Sequence, residues 1–182
     1  MRAEADPPRP LLDTSIVPMR RKHVRDVLSI ERRVYPRPWS AALFFSEISQ
    51  RKTRHYVVAL VHKEVAGYGG LMVHEDEGHI TTIAVEPDLQ HAGIGTRLML
   101  DLMEEARNRR ARTVALEVRV ANWPAQRLYS WFGFRPVGVR KNYYAETGED
   151  ALVMWVDDVR SPDYRERLEK ILSEIPDGIR PS

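Results

Sequence analysis

A chain of 182 residues, 43% hydrophobic and 30% charged, is long enough to bury one sizeable core without covalent staples. With no cysteine it has neither a disulfide framework nor a thiol nucleophile, and a formal net charge of +2 gives no ground for reading it as a nucleic-acid binder. No apolar run reaches the length of a membrane span, and Met1-Arg2-Ala3-Glu4-Ala5-Asp6 lacks the basic and apolar parts of a secretory signal, so the cytoplasm is the default compartment.

The start of the chain, with Pro7, Pro8 and Pro10 and little periodicity, reads as a flexible leader over residues 1–14. A strand starts at Val17 to Met19, and His23 to Val34 has helical spacing through Val24, Val27, Leu28 and Glu31. Pro36 and Pro38 interrupt that pattern, and Ser40 can cap a short second helix containing Leu43, Phe44 and Ile48. His55 to His62, Val65 to Val73 and a segment ending at Val85 then read as a meander of three strands. The His74-Glu75-Asp76-Glu77-Gly78-His79 stretch invites a metal assignment. Its histidines are one residue too far apart for a helical H-E-x-x-H pair, so it reads as a polar hairpin connection and no metal is assigned.

Gln90-His91-Ala92-Gly93-Ile94-Gly95-Thr96 follows the β-branched segment His79 to Val85 and precedes a helix with Leu98, Met99, Leu102, Met103 and Ala106 on one face. Glycines at this junction let the backbone come close to a ligand, with outward N–H groups at a helix start, which favours a phosphate. A dinucleotide fingerprint fits poorly: Leu98 stands where a small third residue belongs, and the lead-in Glu86 to Ala92 is long. Glu117, at a tolerable distance for a ribose-binding acid, leaves that reading weakened. The Walker A lysine is absent.

Further on, Thr113 to Val118 alternates as a strand with Val114, Leu116 and Val118 on one face and Ala115 and Glu117 on the other. Asn122 is placed to cap a helix that has Pro124 near its start and Gly133 just past its end. Residues 134–139 and 151–156 can pair as last strands, and Asp163 to Glu174 carries Tyr164, Leu168, Ile171 and Leu172 at helical spacing. The predicted organisation is a domain over 15–157 and a helical tail over 158–182.

Gln90, Gly93 and Gly95 match Gln/Arg-x-x-Gly-x-Gly/Ala, and with Leu116-Glu117-Val118-Arg119-Val120-Ala121-Asn122, Ala125-Gln126-Arg127-Leu128-Tyr129 and Phe132-Gly133-Phe134 the chain resembles the GCN5-related N-acetyltransferases. The match is most specific to the bacterial branch that acetylates the N-terminal alanine of ribosomal protein S18. Asn142-Tyr143-Tyr144 and Gly148-Glu149-Asp150-Ala151 resemble both that branch and archaeal and eukaryotic N-terminal acetyltransferase subunits. The resemblance covers roughly residues 15 to 157 and implies an α/β (α+β) fold, a mixed and mainly antiparallel sheet with helices on both sides. It implies acetyl-CoA as cosubstrate and a protein N-terminus as acceptor, with no metal, membrane or direct nucleic-acid partner.

By the same resemblance, Gln90, His91, Ala92, Gly93, Ile94, Gly95 and Thr96 hold the cofactor's diphosphate, and Ile83, Ala84 and Val85 pair with its pantetheine. Asn122 bonds the pantetheine or acetyl end, or serves only as a cap. Glu117 is the general base, for which the alternative is a glutamate that merely pairs with Arg119 or faces solvent. Tyr129 is the general acid at the thiolate, while its ring packs. Tyr143 and Tyr144 in a late loop, with Tyr35 and Trp39, flank the acceptor or simply pack. A carboxylate base suits an α-ammonium, whose pKa of ~8 against ~10.4 for lysine is worth roughly 3 kcal/mol in freeing the amine.

Many relatives carry a basic residue beside the glutamine where this chain has His91-Ala92. Arg97 in the first helical turn, or the backbone amides and helix dipole, are the candidates to make up that charge. Arg20, Arg21, Lys22, Arg25, Arg32 and Arg33 read as a solvated face. Direct transfer is expected because no cysteine and no G-x-S-x-G is present. The alternatives are an acetyltransferase for lysine or small amines and a non-catalytic acyl-CoA-binding module.

Overall fold

The alternating segments meet edge to edge because each has to pair its backbone and bury its apolar side chains. The computed structural model describes residues 13–175. Strands β1 (Thr14–Pro18), β2 (Arg54–Val61), β3 (Glu64–His74), β4 (Glu77–Val85), β5 (Thr113–Arg119), β6 (Arg135–Tyr144) and β7 (Glu149–Val156) form one sheet in the order β1-β2-β3-β4-β5-β7-β6. Every neighbouring pair is antiparallel except β4 and β5. The helices are α1 (Val24–Val34), α2 (Ala41–Ser49), α3 (Ile94–Asn108), α4 (Trp123–Trp131) and α5 (Pro162–Glu174).

Each face of the sheet has its own core. On one, Val57 and Ala59 of β2 meet Leu98, Met99, Leu102 and Met103 of α3, Tyr129 of α4 and Tyr164, Leu168 and Ile171 of α5. On the other, Tyr56 and Val58 meet Val24, Val27 and Ile30 of α1, Phe44 of α2 and the fully buried Tyr68. This is the mixed, mainly antiparallel sheet with helices on both sides that the sequence predicts. Ser40 and Asn122 cap α2 and α4 through Leu43 N–H and Ala125 N–H, as their positions predict.

Two features depart from the sequence reading. Strand β1 begins at Thr14, because β2 is long enough to pair Val61 with it. Strand β6 runs on to Tyr144 past a register break after Arg140, so Tyr143 and Tyr144 end a strand where a loop was predicted. Helix α5 packs on the domain through Tyr164, Leu168 and Ile171, and the Tyr164 hydroxyl donates to the Phe132 carbonyl at the end of α4 at 2.8 Å. The leader reading falls, for residues 1–12, outside the described residues.

The site depends on how β4 and β5 part. They pair only at Glu77–Thr113, Gly78–Val114 and His79–Ala115, beyond which the two strands separate and β4 presents an open edge. A bulge in β4 pairs Ile80 with Leu71 but Thr82 with Gly70, leaving Thr81 over. Ile80 therefore packs in the α3-side core, whereas Ala84 packs on the α1 side. The extra residue lets His79, before the bulge, and Thr82 and Ala84, after it, share the α1 face.

Candidate active site

The open edge of β4 leads straight into the phosphate-cradle segment. After a single 3-10 turn at Pro87–Leu89, His91 and Gly93 adopt left-handed backbones with φ of 64° and 81°. Gly93 is the N-cap of α3, and no side chain caps that helix end. Its first-turn amides are left for a ligand. The side chain of Ile94 is buried in the core, so its part in the cradle is the backbone alone. At Gly95 a methyl group would make only ordinary van der Waals contacts, with Leu128 Cδ2 at 3.5 Å and Val85 Cγ2 at 3.8 Å. Alanine is sterically allowed, in line with the Gly/Ala choice of the motif. Gln90 folds back so that its amide donates weakly to the Val85 carbonyl at 3.4 Å.

The residues present fit a diphosphate. Arg97, 5% exposed, has all three guanidinium nitrogens buried and without a hydrogen-bond partner. A methyl group on Gly93 would sit 3.8 Å from its Nη2, so the guanidinium lies directly behind the cradle backbone. Burial lowers the Arg97 pKa to about 10, which leaves it charged at neutral pH.

Where β4 and β5 begin to part, Glu117 sits on the β5 face opposite Leu116 and Val118. Its Oε2 is 2.6 Å from His79 Nε2 and its Oε1 is 3.6 Å from an Arg140 nitrogen. The His79 hydrogen bond, joined by the nearby positive charge, holds the carboxyl below its ordinary 4.5 against the opposing pull of desolvation. Glu117 is thus ionised at neutral pH and free to accept a proton. The alternative pairing with Arg119 is not what forms: Arg119 reaches Glu146 at 3.0 Å and Glu149 at 3.1 Å. Sequence reading left His79 in a polar hairpin. A histidine alternating out of the core next to buried Ile80 was the available signal, but its partner is 38 residues away.

Tyr129 is 6% exposed, packs its ring 6.1 Å from that of Phe134 and lies near Tyr35 and Tyr144. Burial first, and then the fields of those two tyrosines, push its pKa well above the phenolic range. It stays a protonated donor at neutral pH. The Tyr35 hydroxyl, its pKa raised by burial to about 12, donates to the Ile83 carbonyl of β4 at 2.9 Å. Ile83 and Val85 pack on the α3-side core and Ala84 on the other, so only their backbone is available for pairing a ligand. Asn122 uses its side-chain oxygen as the α4 cap, accepting from Ala125 N–H at 3.2 Å, and its amide nitrogen remains to donate.

At the end of β6, Tyr143 and Tyr144 form an edge-on pair with centroids 5.1 Å apart. The Arg119 guanidinium lies 3.9 Å from the Tyr144 ring centre, and the Arg140 guanidinium 5.7 Å from that of Tyr143. Buried Glu31 braces the facing segment: it accepts from Trp39 N–H at 2.9 Å and from the Tyr68 hydroxyl. Trp39 itself packs its ring 5.3 Å from Phe44. The basic face of α1 is solvated as predicted, except that Arg33 also binds Glu86 and Asp88 and ties the helix to the cradle lead-in.

The sequence profile of the Acetyltransferase (GNAT) family matches residues 24–134, which includes the splay, the cradle, Glu117 and Tyr129. The chain belongs to that family. Among GNAT relatives it is 40% identical over 138 residues to a Bacillus subtilis protein provisionally named a ribosomal protein bS18-alanine N-acetyltransferase, covering 76% of this chain and 91% of the relative. It is 36% identical over 127 residues to the ribosomal protein bS18-alanine N-acetyltransferase of Salmonella typhimurium, covering 69% and 84%. The crystal structure of the ribosomal-protein-S18-alanine N-acetyltransferase from Escherichia coli superposes with a TM-score of 0.72 at 31% identity, over 80% of this chain and 94% of that one. A GNAT acetyltransferase from Elizabethkingia anophelis with acetyl-CoA bound shares the fold, at 19% identity and a TM-score of 0.64.

Proposed function

We propose that this GNAT enzyme acetylates protein N-termini from acetyl-CoA, with the N-terminal alanine of ribosomal protein bS18 as its acceptor, by direct transfer in a ternary complex. The observation that carries the reading is the convergence of Glu117, Tyr129 and Tyr144 at the β4–β5 splay, next to an uncapped α3. The relatives named for bS18 support the acceptor. No helix among the described residues is long and apolar enough to cross a membrane.

Each step of the chemistry has a group. The cosubstrate supplies an acetyl group already activated as a thioester. Gly93, Gly95 and the first amides of α3 hold the diphosphate, and the open edge of β4 at Ile83 to Val85 aligns the pantetheine. Glu117 takes a proton from the α-ammonium, directly or through water, and the His79 imidazole beside it orients the carboxylate. The freed amine attacks the acetyl carbon, the C–S bond breaks as the Tyr129 hydroxyl gives its proton to the departing sulfur, and the second proton of the nitrogen, lost as the amide forms, restores the phenol through water. Tyr143, Tyr144, Tyr35 and Trp39 border the acceptor, limiting room around its first residues.

Three peptides with the bS18 N-terminal sequence test this: one with a free alanine amine, one blocked at that amine but carrying lysine, and one lysine-free. With acetyl-CoA, mass spectrometry should locate one acetyl group on the alanine of the first and third and none on the second. Efficient acetylation of the blocked peptide assigns the enzyme to lysine or small amines instead. Activity confined to other N-termini keeps the N-terminal chemistry and discards bS18.

A further inference from the structure

Among the described residues, Arg97 is the side chain whose three guanidinium nitrogens are all buried and all without a partner. Its position makes this doubly unfavourable. A buried unpaired cation loses its hydration with nothing in return, and a positive group in the first turn of a helix opposes the positive end of the helix dipole. The carboxylates nearby on α3 are committed elsewhere: Asp101 pairs with His55 at 2.8 Å and Glu105 with Arg109 at 2.7 Å. No acidic residue lies in the first turn of α3. Meanwhile the loop in front offers His91 and Ala92 and no fixed cation.

We propose that Arg97 is the counter-charge for the cofactor's diphosphate, placed behind the Gly93 backbone instead of in the loop. The inference rests on the acetyl-CoA reading above. An anion seated on the cradle faces the uncapped amides of α3 and, through the gap left by the missing side chain of Gly93, the guanidinium. Both penalties on Arg97 are then relieved together. The ligand-free protein is consequently less stable than its packing would allow, and cofactor binding restores the difference.

The test pairs two readouts that a merely structural arginine would move in the same direction. Arg97→Met, and Arg97→Lys as a variant that keeps the charge, are melted without ligand and titrated calorimetrically with acetyl-CoA and with inorganic pyrophosphate. Arg97→Met should melt above the parent when ligand-free, yet bind acetyl-CoA at least tenfold more weakly and lose any response to pyrophosphate. Arg97→Lys should lie between Met and the parent in affinity. A Kd for acetyl-CoA within twofold of the parent in Arg97→Met overturns the proposal. So does a ligand-free Arg97→Met protein that melts below the parent, since the arginine would then be held by the fold itself. A parent protein giving no heat with acetyl-CoA overturns the acetyltransferase reading, an outcome distinct from either.

Discussion

His79 Nε2 lies 2.6 Å from Glu117 Oε2, a contact between residues on adjacent parallel strands at the point where those strands stop pairing. It fixes the carboxylate where β4 and β5 part. It also biases the proton. Because the contact favours the ionised form, removing it in His79→Ala should raise the Glu117 pKa toward its ordinary 4.5 or above, where desolvation pushes it. A base that must be ionised then loses activity from a higher pH downward, so the acid limb of a kcat/KM profile should move to higher pH. A limb in the parental position would detach His79 from the base. The charges to control for are Arg140 and the tyrosines Tyr143 and Tyr144, which share the field of Glu117.

Glu117→Gln should bind acetyl-CoA normally and lose about 10²–10⁴-fold in kcat near neutral pH, the usual worth of a general base. The loss should shrink as pH rises past ~8, because the α-amine then deprotonates without help. Steady-state rates from pH 6 to 9.5 check both points. Near-normal turnover across that range, with chemistry rate-limiting, would falsify the assignment.

Removing the donor at the other end should look different. Tyr129→Phe keeps the ring that packs against Phe134 and deletes only the hydroxyl. Affinity for acetyl-CoA and thermal stability should stay close to the parent, while turnover falls by about 10²–10⁴-fold at every pH where the phenol is protonated. No recovery at high pH is expected, in contrast to Glu117→Gln. A Tyr129→Phe enzyme with full turnover leaves the ring as packing alone.

The two cradle glycines should separate as well. At Gly93, with φ of 81°, an alanine carries left-handed strain of about 1–2 kcal/mol and disturbs the amides facing the ligand. Gly95 is in a helical turn whose nearest neighbours to an added methyl are at 3.5 and 3.8 Å, ordinary contact distances. Gly93→Ala should therefore lower both melting temperature and acetyl-CoA affinity, and Gly95→Ala should leave the fold intact and the affinity within a few-fold. Equal behaviour of the two variants in calorimetric titration contradicts the cradle geometry.

Arg119 clasps the β6–β7 hairpin, bridging Glu146, Glu149 and the Tyr144 ring from its place on β5. Arg119→Leu should raise the peptide KM by about tenfold while changing kcat little, because Tyr144 loses its support and Glu117 keeps its own. A fall in kcat with unchanged KM places Arg119 in the chemistry instead.

Much of this was readable from local order along the chain. The alternation in Val114 to Val118 put Glu117 on the face away from the α3-side core, the Ser40 and Asn122 caps marked two helix starts, and the glycines at 93 and 95 marked the turn into α3, all of which depend on neighbours a few residues away. What only the tertiary structure decided are the relationships set by chain crossing. The Thr81 bulge, which comes from the mismatch of β4 with β3, keeps His79 and Thr82 on one face, and the parting of β4 from β5 brings His79 to Glu117. Tyr143 and Tyr144 became strand residues because β7 offered them an edge, and Arg97 went behind the cradle because α3 turned it inward. Periodicity specifies which face a side chain leaves from; which group stands opposite is decided by strand register and helix packing, and these depend on contacts across tens of residues.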